Sequence, residues 1–162
     1  MNAIAWLEQT SLSLFVREDF YAYFVLLIFH ALGMAFLVGS GIAVSLRVLG
    51  VAQGVPLDQF ARLFPVMRVA AIVAIISGVG LLLGYPAKAL TNWIFALKFA
   101  CLIAAAVLVW HMARSYFPLP ADGELLPAGA RWIAAAAIVL WVGGVACGKL
   151  LLYTNHMLLT TD

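Results

Sequence analysis

The stretch FYAYFVLLIFHALGMAFLVGSGIAVSL, residues 20–46, decides the fold of this chain. A helix needs about 20 predominantly apolar residues to cross the hydrocarbon core of a bilayer, and this stretch exceeds that length. Its one basic side chain is His30, which lies well inside the apolar run. Because an ionisable residue in such a span is energetically costly, we treat His30 as a candidate functional residue.

The rest of the chain is equally unsuited to water. Of its 162 residues, 66% are hydrophobic and 10% are charged, whereas soluble domains are about 25% charged. Three further stretches are long enough to span a bilayer, at about 64–84, 92–113 and 132–153. Because lipid cannot satisfy backbone polar groups, spanning segments must be helical. The sequence therefore predicts an all-α integral membrane four-helix bundle, with residues 1–162 as one domain.

Residues 1–19 precede the first span and have a different character. They carry Glu8, Arg17, Glu18 and Asp19 and lack the basic n-region and apolar core of a cleavable signal peptide. Their apolar residues predict a short interfacial amphipathic helix, and a disordered tail is the alternative. These apolar residues are Ile4, Trp6, Leu7, Leu14 and Phe15.

The basic residues predict the orientation. We call the end with the first and third connections the arginine end, and the end with both termini and the second connection the terminus end. The arginine end carries Arg47, Arg62, Arg68, Arg114 and Arg131. The terminus end carries Arg17 and Lys88 outside the spans. The positive-inside rule predicts that the arginine end is cytoplasmic and that both termini face the periplasm or the cell exterior. Since the basic residues follow topology rather than one patch, we expect no nucleic-acid partner.

Depth along the helices selects which polar residues can share a site. At 1.5 Å rise per residue, His30 lies ~15 Å, Lys98 ~9 Å and Lys149 ~6 Å from the terminus end of their spans. These three are expected to cluster in that half of the bilayer. His111 comes ~20 Å further along the third span than Lys98. A haem held by His30 and His111 is therefore geometrically poor.

The neighbours of His30 on its helix support a cofactor site there. Gly33 lies on the same helical stripe, and a glycine there lets a flat macrocycle or another helix approach the backbone. For the first span we favour the macrocycle; for the fourth, with Gly144 and Gly148, we favour helix packing. Both cysteines lie within spans and form no CxxCH motif, which excludes covalent c-type haem. No span contains Asp or Glu, which argues against a proton-coupled transporter.

A buried histidine and lysine can together serve a haem. Neutral imidazole is a good axial ligand for haem iron, and bundles build cofactor sites from inward side chains. A neutral Lys98 amine can complete the coordination, and a protonated one can pair with a propionate. The alternatives are that His30 is a hydrogen-bonding core residue and that Lys98 or Lys149 simply extends to the interface.

Two segments carry a family resemblance. The first reads HALGMAFLVG from His30, followed by Ser45-Leu46-Arg47, and the second reads NWIFALKF from Asn92, followed by VWH at 109–111. They resemble the bacterial membrane protoporphyrinogen oxidase and copper-resistance D-type superfamily. In the oxidase a first-span His and a third-span Lys hold haem b, which implies these roles for His30 and Lys98. The whole chain also resembles a closer group of small bacterial four-helix membrane proteins, which share the start WLEQTxLS from Trp6, the segment VRE at 16–18 and the final Gly148-Lys149 pair. The histidine and tryptophan spacings depart from those of the oxidase, so its reaction is not carried over.

The sequence therefore predicts a b-type haem protein that transfers electrons, as a subunit or anchor of a larger membrane redox complex. His30 is the predicted axial ligand, Lys98 the second ligand or propionate partner, and Lys149 a propionate or interface charge. A periplasmic redox subunit or a quinone is the expected electron partner, besides membrane lipid. The alternatives are a haem-free structural subunit and a small-molecule or metal permease.

Overall fold

The computed structural model describes residues 3–86, 90, 92–117 and 126–158, with side chains described for 6–86, 90, 92–117 and 126–151. These residues form helices and no strand. Four helices are long and apolar enough to cross a membrane, which confirms the predicted all-α four-span architecture. They are α3 (Phe20–Leu49), α5 (Leu63–Gly84), α6 (Trp93–Ser115) and α7 (Ala130–Leu158). The short helix α4 (Leu57–Ala61) lies in the first connection.

Local chemistry sets the ends of α3. The carboxylate of Asp19 accepts a hydrogen bond from the backbone N–H of Ala22 at 2.8 Å, which caps the first turn. Gly50 ends the helix with φ 102°, a left-handed conformation that favours glycine. With 30 residues, α3 is ~45 Å long and therefore extends beyond a hydrocarbon core of ~30 Å.

The predicted N-terminal amphipathic helix is present, but as two short pieces. These are α1 (Ala3–Glu8) and α2 (Ser11–Glu18), separated at Thr10, whose hydroxyl accepts from the backbone N–H of Ser13 at 3.3 Å. Val16 of α2 is buried against the last turn of α5, where a Cβ at Gly84 would lie 3.0 Å from its Cγ1. The N-terminal segment therefore packs on the terminus end of the bundle.

Glycines bring the spanning helices together in pairs. Gly33 of α3 lies against the backbone of α5, and Gly144 of α7 lies against Leu102 of α6. A third contact joins the two pairs, since Gly41 of α3 meets the buried indole of Trp141 on α7. Small residues let helices approach closely in lipid, where van der Waals packing drives association. The successive helices α5 and α6, by contrast, make at most marginal contact in the described residues.

Among the described residues, the contiguous buried apolar core that joins all four spanning helices lies in the arginine half of the bundle. On α3 it begins at Val38 and continues through Val44 to Val48. It is completed by residues of the other three spanning helices and by Tyr116, which directly follows α6; the helical residues are Met67, Ala105, Val109, Met112, Ala130, Ala134, Ala137 and Trp141. The core does not continue toward the terminus end. In that half of the bundle, it therefore does not join the α3–α5 pair to the α6–α7 pair. His30 and Lys98 both lie in that half.

Candidate functional site

His30 is held by helix α5 through one ring nitrogen. Its Nδ1 lies 2.9 Å from the carbonyl oxygen of Ala74 and 3.4 Å from the hydroxyl of Ser77. A backbone carbonyl only accepts hydrogen bonds, so Nδ1 of a neutral ring must carry the proton and donate. Nε2 then carries the free lone pair, and no described residue bonds to it. Helix α5 thus selects the tautomer that offers Nε2 to a ligand.

Two neighbouring residues of α5, Ser77 and Gly78, contact the imidazole; together with Ala74 they form what we call the His30 seat. The hydroxyl of Ser77 donates its proton to the carbonyl of Val73, one turn back. Its oxygen can therefore act only as an acceptor toward Nδ1 of His30. Gly78 provides the space for the ring, because a Cβ there would lie 3.0 Å from Cε1 and 3.2 Å from Nδ1 of His30. The ring is half-buried. The imidazole is therefore fixed in position as well as in tautomer.

Lys98 occupies the corresponding place on the other helix pair. Its side chain runs along α7 at Gly148, where a Cβ would lie 3.7 Å from the Nζ. The side chain is half-buried, and none of the four spanning helices contains an Asp or Glu that could pair with it. Lys98 lies close enough to His30 for the two groups to interact electrostatically. The site thus has two basic groups from separate helix pairs and no carboxylate.

Helix packing places the two residues at similar depth. The contact between Gly41 and Trp141 marks one level of the bundle. From it, His30 lies eleven residues or ~16 Å toward the terminus end, and Gly148, beside Lys98, seven residues or ~10 Å. The difference of ~6 Å is about one helical turn. Counting from the ends of the apolar runs places His30 deeper in the membrane than Lys98. The packed helices reverse that order, because α3 extends further toward the terminus end than the span count assumes.

The other candidate residues lie elsewhere. Gly33 is buried, and a Cβ there would lie 2.8 Å from the backbone nitrogen of Ala74, so the neighbouring helix already fills the space over it. We leave Gly33 out of the proposed site, since it serves the close packing of α3 on α5. Lys149 is exposed. His111 is exposed near the arginine end, with its ring 5.9 Å from that of Tyr116. The side chain of His156 lies outside the described residues.

The sequence analysis did not identify the α5 side of the site. Neither Ser77 nor Gly78 is among the residues that it singles out. Apart from Arg68, Ser77 is the one polar residue of α5. It lies seven residues or ~10 Å from the terminus end of that helix, a depth that makes it accessible to His30. Matching the depth of this hydroxyl to that of the imidazole is the signal that would have found it.

The described residues offer no ready site for a bare metal ion. No three His, Cys, Asp or Glu side chains among them come together. A single imidazole with a free Nε2 suits a metal that brings most of its own ligands, as haem iron does. Comparison with protein-family models, with curated proteins and with solved structures finds no match to this chain.

Proposed function

We propose that the protein is a b-type haem-binding membrane protein that transfers electrons, with Nε2 of His30 as an axial ligand of the iron. The observation that carries this proposal is the hydrogen bond from Nδ1 of His30 to the carbonyl of Ala74. Metal-ligating histidines typically donate their other ring N–H to a carbonyl or carboxylate, which fixes the ring and raises its basicity. His30 has this arrangement on a rigid spanning helix.

The surroundings of His30 fit a haem in charge. Haem is a flat apolar ring with two propionates, and the site has two basic residues near its terminus end, Lys98 and Lys149, with no carboxylate in the spans. Among the described residues, the buried cluster that joins the two helix pairs does not extend to this depth. Lys98 is the candidate second ligand or propionate partner, and Lys149 the more exposed propionate partner. When bound, haem supplies one-electron redox chemistry.

The setting of the protein follows from its basic residues. The arginine end is cytoplasmic under the positive-inside rule, which places both termini and the His30 half on the periplasmic side of a bacterial inner membrane. The spanning helices carry long, exposed apolar faces in the described part of the chain. This supports a subunit or anchor of a larger redox complex, with a periplasmic protein or a quinone as electron partner.

Absorption spectroscopy of the purified protein tests the proposal. The protein should be expressed with added haem precursor, purified in detergent and reduced. A Soret band with split α and β bands is expected, and His30→Ala should abolish it. The control is His111→Ala, which removes an exposed imidazole ~20 Å from the site and should leave the bands unchanged. Wild-type protein without haem would instead leave the haem-free structural subunit as the better explanation.

A further inference from the structure

A groove runs between α3 and α5 on the side that faces lipid. It begins near the middle of the bundle, at Gly33 and Val73, follows α5 toward the arginine end as far as Pro65, and has a volume of about 490 Å³. Its lining is apolar throughout, and includes Leu32, Gly33, Phe36, Val66, Val69 and Val73. It is separate from the His30 seat, which lies nearer the terminus end.

The groove results from the close approach of the two helices. Gly33 and Ala70 are buried where the backbones meet, and they form its floor. Phe36 and Val69 are 60% and 63% exposed and stand on either side as walls. An open apolar groove that follows two helices in this way can accommodate a hydrocarbon chain.

The length of the groove matches half a bilayer. From Val73 to Pro65 it follows eight residues of α5, or ~12 Å. Arg62, three residues before Pro65, continues the same helical stripe and adds ~4 Å. The sum is close to the ~15 Å thickness of one leaflet's hydrocarbon. One end of the groove therefore lies near the bilayer midplane and the other at the headgroups of the arginine end.

Two guanidinium groups stand at the headgroup end. Arg62 is exposed, and the Nε–H of Arg47 donates to the carbonyl of Val55 at 2.8 Å, which holds that guanidinium at the membrane surface. Because α3 and α5 are antiparallel and Gly33 packs between Ala70 and Ala74, residue counting puts the two arginines within ~6 Å in depth. Asp58 is the one acidic residue of this fully described connection. The local charge is therefore positive.

We propose that this groove binds one anionic phospholipid of the leaflet at the arginine end. One acyl chain occupies the groove, and Arg47 and Arg62 hold the phosphate. Guanidinium groups bind phosphate with charge-assisted hydrogen bonds, and basic pockets between spanning helices recognise anionic lipid headgroups. The inference does not depend on haem, since it rests on the lipid-facing side of the α3–α5 pair.

Native mass spectrometry with phosphatidylglycerol and phosphatidylcholine tests the headgroup contact. The purified full chain should bind one phosphatidylglycerol more tightly than phosphatidylcholine. The variant Arg47→Gln/Arg62→Gln should weaken phosphatidylglycerol binding at least ~10-fold, from ~1 kcal/mol per basic residue. The control Arg68→Gln/Arg114→Gln removes the same charge from the same end, and its Arg114 lies on α6, which does not border the groove. An equal loss in both variants would show diffuse charge attraction and overturn the proposal.

A second pair of variants tests the acyl chain. Val69→Trp fills the groove without changing charge, and should abolish tight phosphatidylglycerol binding. The matched control Val107→Trp changes an exposed valine on α6, and should leave it unchanged. Unaltered binding in Val69→Trp overturns the proposal. So does a Val69→Trp protein that changes oligomeric state and keeps its lipid, because the groove would then be the contact between two copies.

Discussion

Gly78 lies directly against the imidazole of His30, so a single added methyl group would displace the ring. A Cβ at Gly78 would lie 3.0 Å from Cε1 and 3.2 Å from Nδ1, closer than side-chain packing normally allows. This relationship links the second spanning helix to the proposed ligand. It permits a test of the site that leaves His30 itself unchanged.

Gly78→Ala is expected to weaken haem binding and shift the Soret band. The methyl group pushes the ring away from Ala74 and lengthens the hydrogen bond that fixes its tautomer, and loss of such support typically costs 10- to 100-fold in metal affinity. Haem content per protein and the reduced spectrum measure the effect. Gly39→Ala is the control, since a Cβ there has no neighbour within 4 Å. A fully loaded Gly78→Ala protein with an unchanged spectrum would contradict the His30 assignment.

Ser77→Ala is expected to raise the haem reduction potential slightly without emptying the site. Its hydroxyl lies 3.4 Å from Nδ1 and supplements the stronger bond to Ala74, so its removal makes the imidazole a less basic ligand. Redox titration of the α band measures the shift. Ser45→Ala is the matched control, because Ser45 also bonds the carbonyl one turn back, at 2.8 Å to Gly41, but lies in the arginine half. Equal shifts in both variants would exclude a specific role for Ser77.

Periodicity and hydropathy were sufficient to predict the spans but not their pairing. The apolar runs near 20–46 and 132–153 correspond to α3 and α7, which extend a few residues beyond them. The pairing of α3 with α5 depends on where Gly33 meets the α5 backbone. In lipid, apolar residues on all faces look alike, so the sequence pattern does not show which face is buried.

The same limit explains which residues of the proposed haem site the sequence could indicate. His30 and Lys98 stand out because ionisable groups are rare in spans. Ala74 contributes through its backbone carbonyl, which no residue type reveals. Gly33 shares the His30 stripe, but a stripe on a helix is more than 100° wide and covers both the imidazole seat and the contact with α5. Only the packed helices separate these two roles.

Lys98→Leu is expected to change either the coordination of the haem iron or the retention of haem, while the bundle stays folded. Leucine keeps the apolar stem against Gly148 and removes the amine. If the amine is the second ligand, the low-spin spectrum becomes high-spin; if it pairs with a propionate, the spectrum is kept and haem is lost more readily. Lys149→Leu is the control at an exposed position and should have the smaller effect. No change in spin state or in haem retention would remove Lys98 from the site.

Gly41→Ala is expected to destabilise the seam between the two helix pairs. A Cβ there would lie 2.5 Å from Nε1 of Trp141 and 2.7 Å from Cε2, and overpacking of this kind typically costs about 1–3 kcal/mol. Thermal unfolding in detergent should show a lowered midpoint, while Gly39→Ala on the same helix should not. Trp141→Phe removes the clashing atoms together with an Nε1–H that has no described partner, so by itself it should cost little. In the double variant Gly41→Ala/Trp141→Phe, the smaller ring should accommodate the added methyl group and restore most of the lost stability. Additive losses would show that Gly41 acts through something other than its contact with the indole.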